Sequence, residues 1–210
     1  MVYDRKKRRC LMDRIITIGR EFGSGGRELG RRLAENLGVA YYDQEILAEI
    51  ANRTELSEKY VQSIVERKPV FSFPIHIGHS FQPMVNPAAD FGQKIYQEQC
   101  NILKELSAKS GCVIVGRCAD YILRDQNPFR IFVYADMDSR IERCRKKGKG
   151  HENLTDKEMK KHILDVDKNR ARYYEFYTDL KWGDRKNYDM CVNTTNSDIK
   201  KIASVIAKMF

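Results

Sequence analysis

Several things the sequence lacks narrow it first. It holds six cysteines (Cys10, Cys100, Cys112, Cys118, Cys144 and Cys191), but no two have Cys-x-x-Cys spacing. No signal-peptide pattern precedes them, so neither a disulfide framework nor a cysteine metal site is expected. Cys112 and Cys191 fall in apolar, strand-like runs and are expected in the core. No apolar stretch approaches the roughly 20 residues that a membrane span needs. No membrane partner is expected, and a cytoplasmic location is. Prolines number five, and four of them (Pro69, Pro74, Pro83 and Pro87) crowd into the charge-poor stretch 69–90. That stretch is too long for a simple connection. It reads as an insertion, with a lid or substrate flap and a plain surface loop both open.

Acidic residues are also in deficit, 29 against 38 Lys and Arg, for a formal charge of +9. Such a chain attracts anions. The dense basic stripe with interleaved aromatics that marks many nucleic-acid binders is missing. The arginines are instead spread along the chain, which favours phosphates on a small molecule over RNA. One basic run, Arg5-Lys6-Lys7-Arg8-Arg9, reads as a solvated tail covering 1–13, with a targeting or nucleic-acid patch as the alternative. The remainder, 14–210, has the length of a single α/β domain.

Strand-like and helix-like segments alternate. Ile15 to Ile18 reads as a buried strand ending at Gly19, and Leu29, Leu33 and Leu37 mark one face of a helix closed by Gly38. Val39 to Tyr42, Cys112 to Val115, Phe129 to Ala135 and a segment within Asp189 to Asn193 supply four more strands. Between them, Asp43, Ser57, Asp138 and Ser197 are expected to start helices. Thr155 and Glu158 have capping-box spacing. In the last helix Ile202, Val205, Ile206 and Met209 are expected inward. The pattern predicts a parallel sheet covered by helices on both faces, with ligands at the carboxyl ends of the strands.

The first strand runs into Gly23-Ser24-Gly25-Gly26-Arg27-Glu28. A strand, a glycine-rich turn and a helix N-terminus form an anion cradle, because backbone N–H groups and the helix dipole both face the turn. Arg27 would reach a β- or γ-phosphate. Aligned on Gly26, the phosphate-loop pattern G-x-x-x-x-G-K-[ST] finds Glu21, Arg27 and Glu28 at its specified positions, so the match is partial.

Longer stretches carry a resemblance. IITIGREFGSGGRELGRRLAENLGVAYYD (15–43), VIVGRCADYIL (113–123), FRIFVYADMDSRIERCRKK (129–147), DVDKNRARYY (165–174) and YDMCVNTT (188–195) occur in the order seen in the cytidylate kinase-like family. The sequence resembles that family of P-loop nucleoside monophosphate kinases. The resemblance implies a three-layer α/β/α P-loop fold with a five-stranded parallel sheet. It also implies an acceptor-binding insertion at about 55–99 and a lid at about 146–168. The implied reaction is transfer from ATP, with Mg²⁺, to a pyrimidine monophosphate of the CMP or dCMP type.

By resemblance, Gly23, Ser24, Gly25, Gly26, Arg27 and Glu28 hold the donor phosphates. Asp43, Arg117, Arg140, Asp167 and Arg170 bind the acceptor, and Arg27, Arg140, Asp167 and Arg170 carry the transfer. Simpler roles stay open for some of these: a solvated Arg140, a surface Asp167–Arg170 ion pair, and a capping Asp43. Tyr173, Tyr174, Phe176 and Tyr177 fit core packing better than base stacking. Leu29 stands where the family carries a Mg²⁺-placing hydroxyl, Gln44 where it has serine, Cys118 where it has aspartate and Ile163 where it has a lid arginine. No residue is assigned to metal. The degenerate loop keeps a second reading in play, a nucleotide-binding sensor with little transfer activity.

Overall fold

Ile15, Ile16, Thr17 and Ile18 are β-branched and all buried. In the computed structural model, which describes residues 14–65, 87–146 and 154–210, they open strand β1, Ile15–Arg20. The tail at 1–13, most of 69–90 and most of the 146–150 hinge lie outside the described residues. Helix α1 (Gly26–Leu37) and strand β2 (Ala40–Tyr42) follow. Next come α2 (Glu45–Thr54), α3 (Glu58–Val65), α4 (Pro87–Lys109) and β3 (Cys112–Val115). The one-turn α5 (Ala119–Ile122), β4 (Phe129–Tyr134), α6 (Met137–Lys146) and α7 (Asp156–Thr178) lead to β5 (Met190–Asn193) and α8 (Ile199–Ala207).

All strand pairs are parallel, in the order β2-β3-β1-β4-β5. Side chains alternate across each strand and so feed two cores. Ile15, Cys112 and Ile114 pack with Ile46, Ile50, Ile102 and Leu103 on one face. Ile16, Ile18, Val113 and Val115 pack with Leu29, Leu33, Ile199 and Ala203 on the other. Burying each large aliphatic side chain contributes about 1.5–3 kcal/mol. These two layers hold β1 in the middle of the sheet, between β3 and β4. Its carboxyl end is where successive connections leave toward opposite edges, which opens a crevice.

Local expectations fare unevenly. The Thr155–Glu158 capping box forms, and Ser57 accepts from the Tyr60 N–H at 3.3 Å. Asp43 does not cap α2: Gln44 holds that position, because the Asp43 carboxylate turns into the arginines described below. Asp136, not Asp138, accepts from the Ser139 N–H at 2.8 Å at the start of α6. Asp198, not Ser197, caps α8. That helix buries Ile199, Ala203 and Ile206 against α1, and Val205 and Met209 point to solvent. Cys191 is exposed rather than core. It lies on edge strand β5, whose Met190 and Val192 take the inward positions. Cys112 is buried as expected. No described helix is long and apolar enough to cross a membrane.

Candidate active site

The turn after β1 is held almost entirely by its own backbone and by its neighbours. The Glu21 N–H donates to the Val133 carbonyl at 3.0 Å, and Ser24 Oγ donates back to the Glu21 carbonyl at 2.8 Å. Thr194 Oγ1 donates to the Ser24 carbonyl at 2.6 Å. Ser24 is fully buried, so it shapes the loop rather than facing the cleft. Gly25 has φ +84° and precedes α1 with no side-chain cap. That left-handed φ favours glycine, and a Cβ there would also displace Ile199 Cδ1, 2.3 Å away. The first-turn N–H groups of α1 therefore face a cleft of about 730 Å³ without a competing side-chain acceptor. Arg20, Glu21, Phe22, Gly23, Gly26 and Arg27 help line it, with Arg143 and Arg170 opposite.

Glu28 sits outside this lining and pairs with Arg32 one turn along, at 2.9 Å. Leu29, at the position of the family's hydroxyl, is buried in the core. Among the described lining residues Glu21 is the one carboxylate. Its Oε2 lies 3.2 Å from Arg140 Nη1 and accepts from the Ala135 N–H at 3.2 Å. Burial pushes the Glu21 carboxyl pKa upward, against the pull of Arg140.

Asp43, after β2, is 6% exposed in its side chain and gathers arginines. Arg27 Nε lies 2.5 Å from its Oδ2, and Arg20 Nη2 lies 3.5 Å from its Oδ1. The Arg27 side chain is 48% exposed and reaches this contact from the start of α1. The Arg20 side chain is 11% exposed, and its pKa is driven well below the arginine norm. Desolvation is the main cause, followed by the charge of Arg170; Asp43 opposes the shift, and Arg117 and Arg27 add to it. Arg170, Arg117 and Arg27 thus all act on Arg20, and Asp43 pairs with Arg20 and Arg27.

A second cleft of about 600 Å³ opens on the far side of Arg20 and Arg170, which line both. Its other walls are Arg117, Cys118 and Asp120 after β3, and an aromatic group of Tyr173, Tyr174, Trp182 and Tyr188. The turn is unusual: Gly116, Arg117 and Cys118 have φ of +75°, +60° and +52°. A left-handed conformation in non-glycine residues costs about 1–2 kcal/mol each, and such outliers cluster at working sites. The Arg20 guanidinium explains the glycine, since a Cβ on Gly116 would fall 1.8 Å from Arg20 Nη1. Buried Gln99 helps to hold the turn by donating to the Arg117 carbonyl at 2.9 Å. Asp120 accepts from the Tyr174 hydroxyl at 2.7 Å, and burial raises its pKa.

Helix α7 joins the two sides. Asp167 Oδ1 accepts from the Phe22 N–H at 2.7 Å, and its Oδ2 pairs with Arg140. Burial raises the Asp167 pKa, and the Phe22 N–H and the arginines oppose this. Arg170 donates to the Arg20 carbonyl at 3.3 Å and lies 5.4 Å over the Phe22 ring. Arg140 spends its donors inside the protein: Nε on the Phe22 carbonyl at 2.7 Å, the remainder on Glu21 and Asp167. It is 5% exposed and does not face either cleft as a loose cation. The described part of the expected lid is the N-terminal half of α7, where Met159 and Ile163 pack beside Cys144 of α6.

Of the residues the sequence pointed to, Arg27 pairs with Asp43, Arg117 and Arg170 line the second cleft, and Arg170 also lies 3.8 Å from Asp167, which with Arg140 sits behind the loop. It missed Arg20, which the expected strand end at Gly19 left in the loop. It also missed Asp120 and Arg143. The signal for Arg20 was its place between a central strand and a glycine-rich turn.

Comparison with known proteins fits this geometry. A solved structure of an uncharacterized protein from Eubacterium ventriosum shares 29% identity over 93% of this chain and 97% of that one, with a TM-score of 0.67. A shikimate kinase from Bacteroides thetaiotaomicron shares 14% identity over 93% and 97%, with a TM-score of 0.57. One from Acinetobacter baumannii, in complex with shikimate, shares 16% over 93% and 91%, at 0.52. At such identity the two shikimate kinases show the fold alone. No curated protein matches the chain. The cytidylate kinase-like family matches residues 15–196. This kinase-like family and fold support nucleotide-dependent phosphoryl transfer, and the chain belongs to the cytidylate kinase-like family.

Proposed function

We propose that this protein transfers the γ-phosphoryl group of ATP to a nucleoside monophosphate of the CMP or dCMP type. One observation carries the reading: Arg20, Arg27, Arg117 and Arg170 gather along two adjoining clefts, with Arg20 and Arg170 lining both. That excess of positive charge calls for anions on both sides of the Arg20–Arg170 seam. In the reaction, an acceptor phosphate oxygen forms a bond to γ-phosphorus while the bridging β,γ bond breaks and ADP leaves. Such transfer needs in-line positioning and charge neutralisation more than covalent help. The loop N–H groups, with Arg27 and Arg170, hold the donor, and Arg117 and Arg20 hold the acceptor phosphate. Guanidinium forks grip two oxygens at once and so fix direction as well as distance. Arg140 and Asp167 are positioning residues that brace the loop against α7.

Membership of a kinase-like P-loop family implies ATP and Mg²⁺ use in general. The residues here do not fit a protein-held Mg²⁺. The hydroxyl position is buried Leu29, and Asp43, Asp167 and Glu21 Oε2 already serve arginines or N–H groups. Among the described residues no cluster of three metal-ligating side chains occurs. The same Leu29 favours a second reading, a nucleotide-binding sensor with little transfer. ADP formation from Mg-ATP with each common nucleoside monophosphate, with Arg27→Ala as control, separates the two. Acceptor-dependent turnover lost in the control supports the kinase. Tight nucleotide binding with no turnover for any acceptor supports the sensor.

A further inference from the structure

Arg140 and Arg143 lie one turn apart on α6 and face opposite demands. Arg140 is consumed by the Phe22 carbonyl, Glu21 and Asp167. Arg143 lines the donor cleft beside the glycine loop, and its Cδ lies 3.9 Å from where a Cβ on Gly25 would stand. Its Nη2 donates to the Thr194 carbonyl, while its Nη1 is buried with no hydrogen-bond partner. Among the described residues no carboxylate comes within 4.0 Å of it. Leaving a buried donor unsatisfied is costly, and such groups in folded proteins call for an explanation.

We infer that Arg143 is a ligand of the donor triphosphate, a role the sequence pattern offers to Arg140. A phosphate oxygen supplies the acceptor that Nη1 lacks, and the Thr194 carbonyl holds the other arm of the fork. Thr194 also donates to the Ser24 carbonyl, so one residue sets the arginine and the loop relative to each other. Because Glu21 and Asp167 are paired with Arg140 and no described carboxylate forms an ion pair with Arg143, its charge is left for the phosphates. This inference rests on the cleft being a nucleoside triphosphate site.

Calorimetry with ATP and with inorganic tripolyphosphate, each titrated into the full chain, tests it. Arg143→Ala is expected to weaken both by at least about tenfold, as loss of a charge-assisted hydrogen bond does, with an unchanged melting temperature. Arg143→Lys should recover part of the loss. Arg143→Gln keeps a donor for Thr194 without the charge and serves if the alanine variant fails to fold; it should lose affinity for both ligands. Affinities within about twofold of wild type in a folded variant overturn the assignment. So does a loss confined to ATP, which would place Arg143 on the nucleoside. Wild-type protein that binds neither ligand would instead overturn the reading of the cleft itself.

Discussion

The two clefts share Arg20 and Arg170 and differ in nearly everything else. On the donor side the wall is glycine backbone, helix N–H groups and arginines, with Phe22 as its aromatic side chain. On the acceptor side the same arginines face Tyr173, Tyr174, Trp182, Tyr188 and the partly buried Asp120. A wall of N–H groups and guanidinium recognises charge and leaves the rest of the ligand undefined. An aromatic wall with one carboxylate recognises shape and a hydrogen-bond donor as well. The difference places selectivity on the acceptor side and phosphate grip on both.

The largest break in that comparison should come from behind the donor loop. Arg140→Ala removes the partner of buried Asp167 and of partly exposed Glu21, and is expected to cost about 3–5 kcal/mol of stability. For a domain of this size that lowers the melting temperature by about 6–20 °C, measurable by calorimetry. Next, Arg27→Ala should leave the fold intact, since Arg27 is half exposed, but reduce transfer by about 100-fold or more. Steady-state ADP release reads the second effect and circular dichroism the first. A smaller effect separates the clefts: Arg117→Ala should raise the acceptor KM by about tenfold while the KM for ATP barely moves. Equal losses for both would place Arg117 on the shared seam.

The smallest effect concerns Asp120. Its folded pKa is raised by burial, so the folded state holds the proton more firmly than the unfolded chain does. The stability this contributes is present at low pH and lost as pH rises through the folded pKa. Asp120→Asn cannot titrate, yet it can still accept from Tyr174. Wild type should therefore lose stability relative to the variant as pH rises from mildly acidic to neutral, followed by urea midpoints. A constant difference across that range would show that Asp120 does not titrate differently on folding.

Much of the fold was legible because it repeats simple periods. Alternating β-branched runs gave the strands, and Leu29, Leu33 and Leu37 gave the first helix. The Thr155–Glu158 box marked the start of α7 to within a residue. Local signals failed where a tertiary partner outbid them. Asp43 left its capping position for Arg27 and Arg20, and Cys191 turned outward because β5 is an edge. The site shows the same division. Gly23 to Arg27 was readable as an anion cradle, since glycine, strand end and helix start are adjacent in sequence.

The sequence by itself determined a parallel α/β domain, a phosphate loop after its first strand, and a surplus of arginine. Each of these rests on neighbours within a few residues or on composition. Only the tertiary structure decided which arginines face the clefts. Arg20, Arg117 and Arg170 meet because β1 and β3 end against the middle of α7, and Arg140 and Arg143 part because one meets carboxylates and the other a carbonyl. A charge carries no record in its own codon of the partner that will neutralise it. That partner lies 27 residues away for Arg140, and folding brings it there.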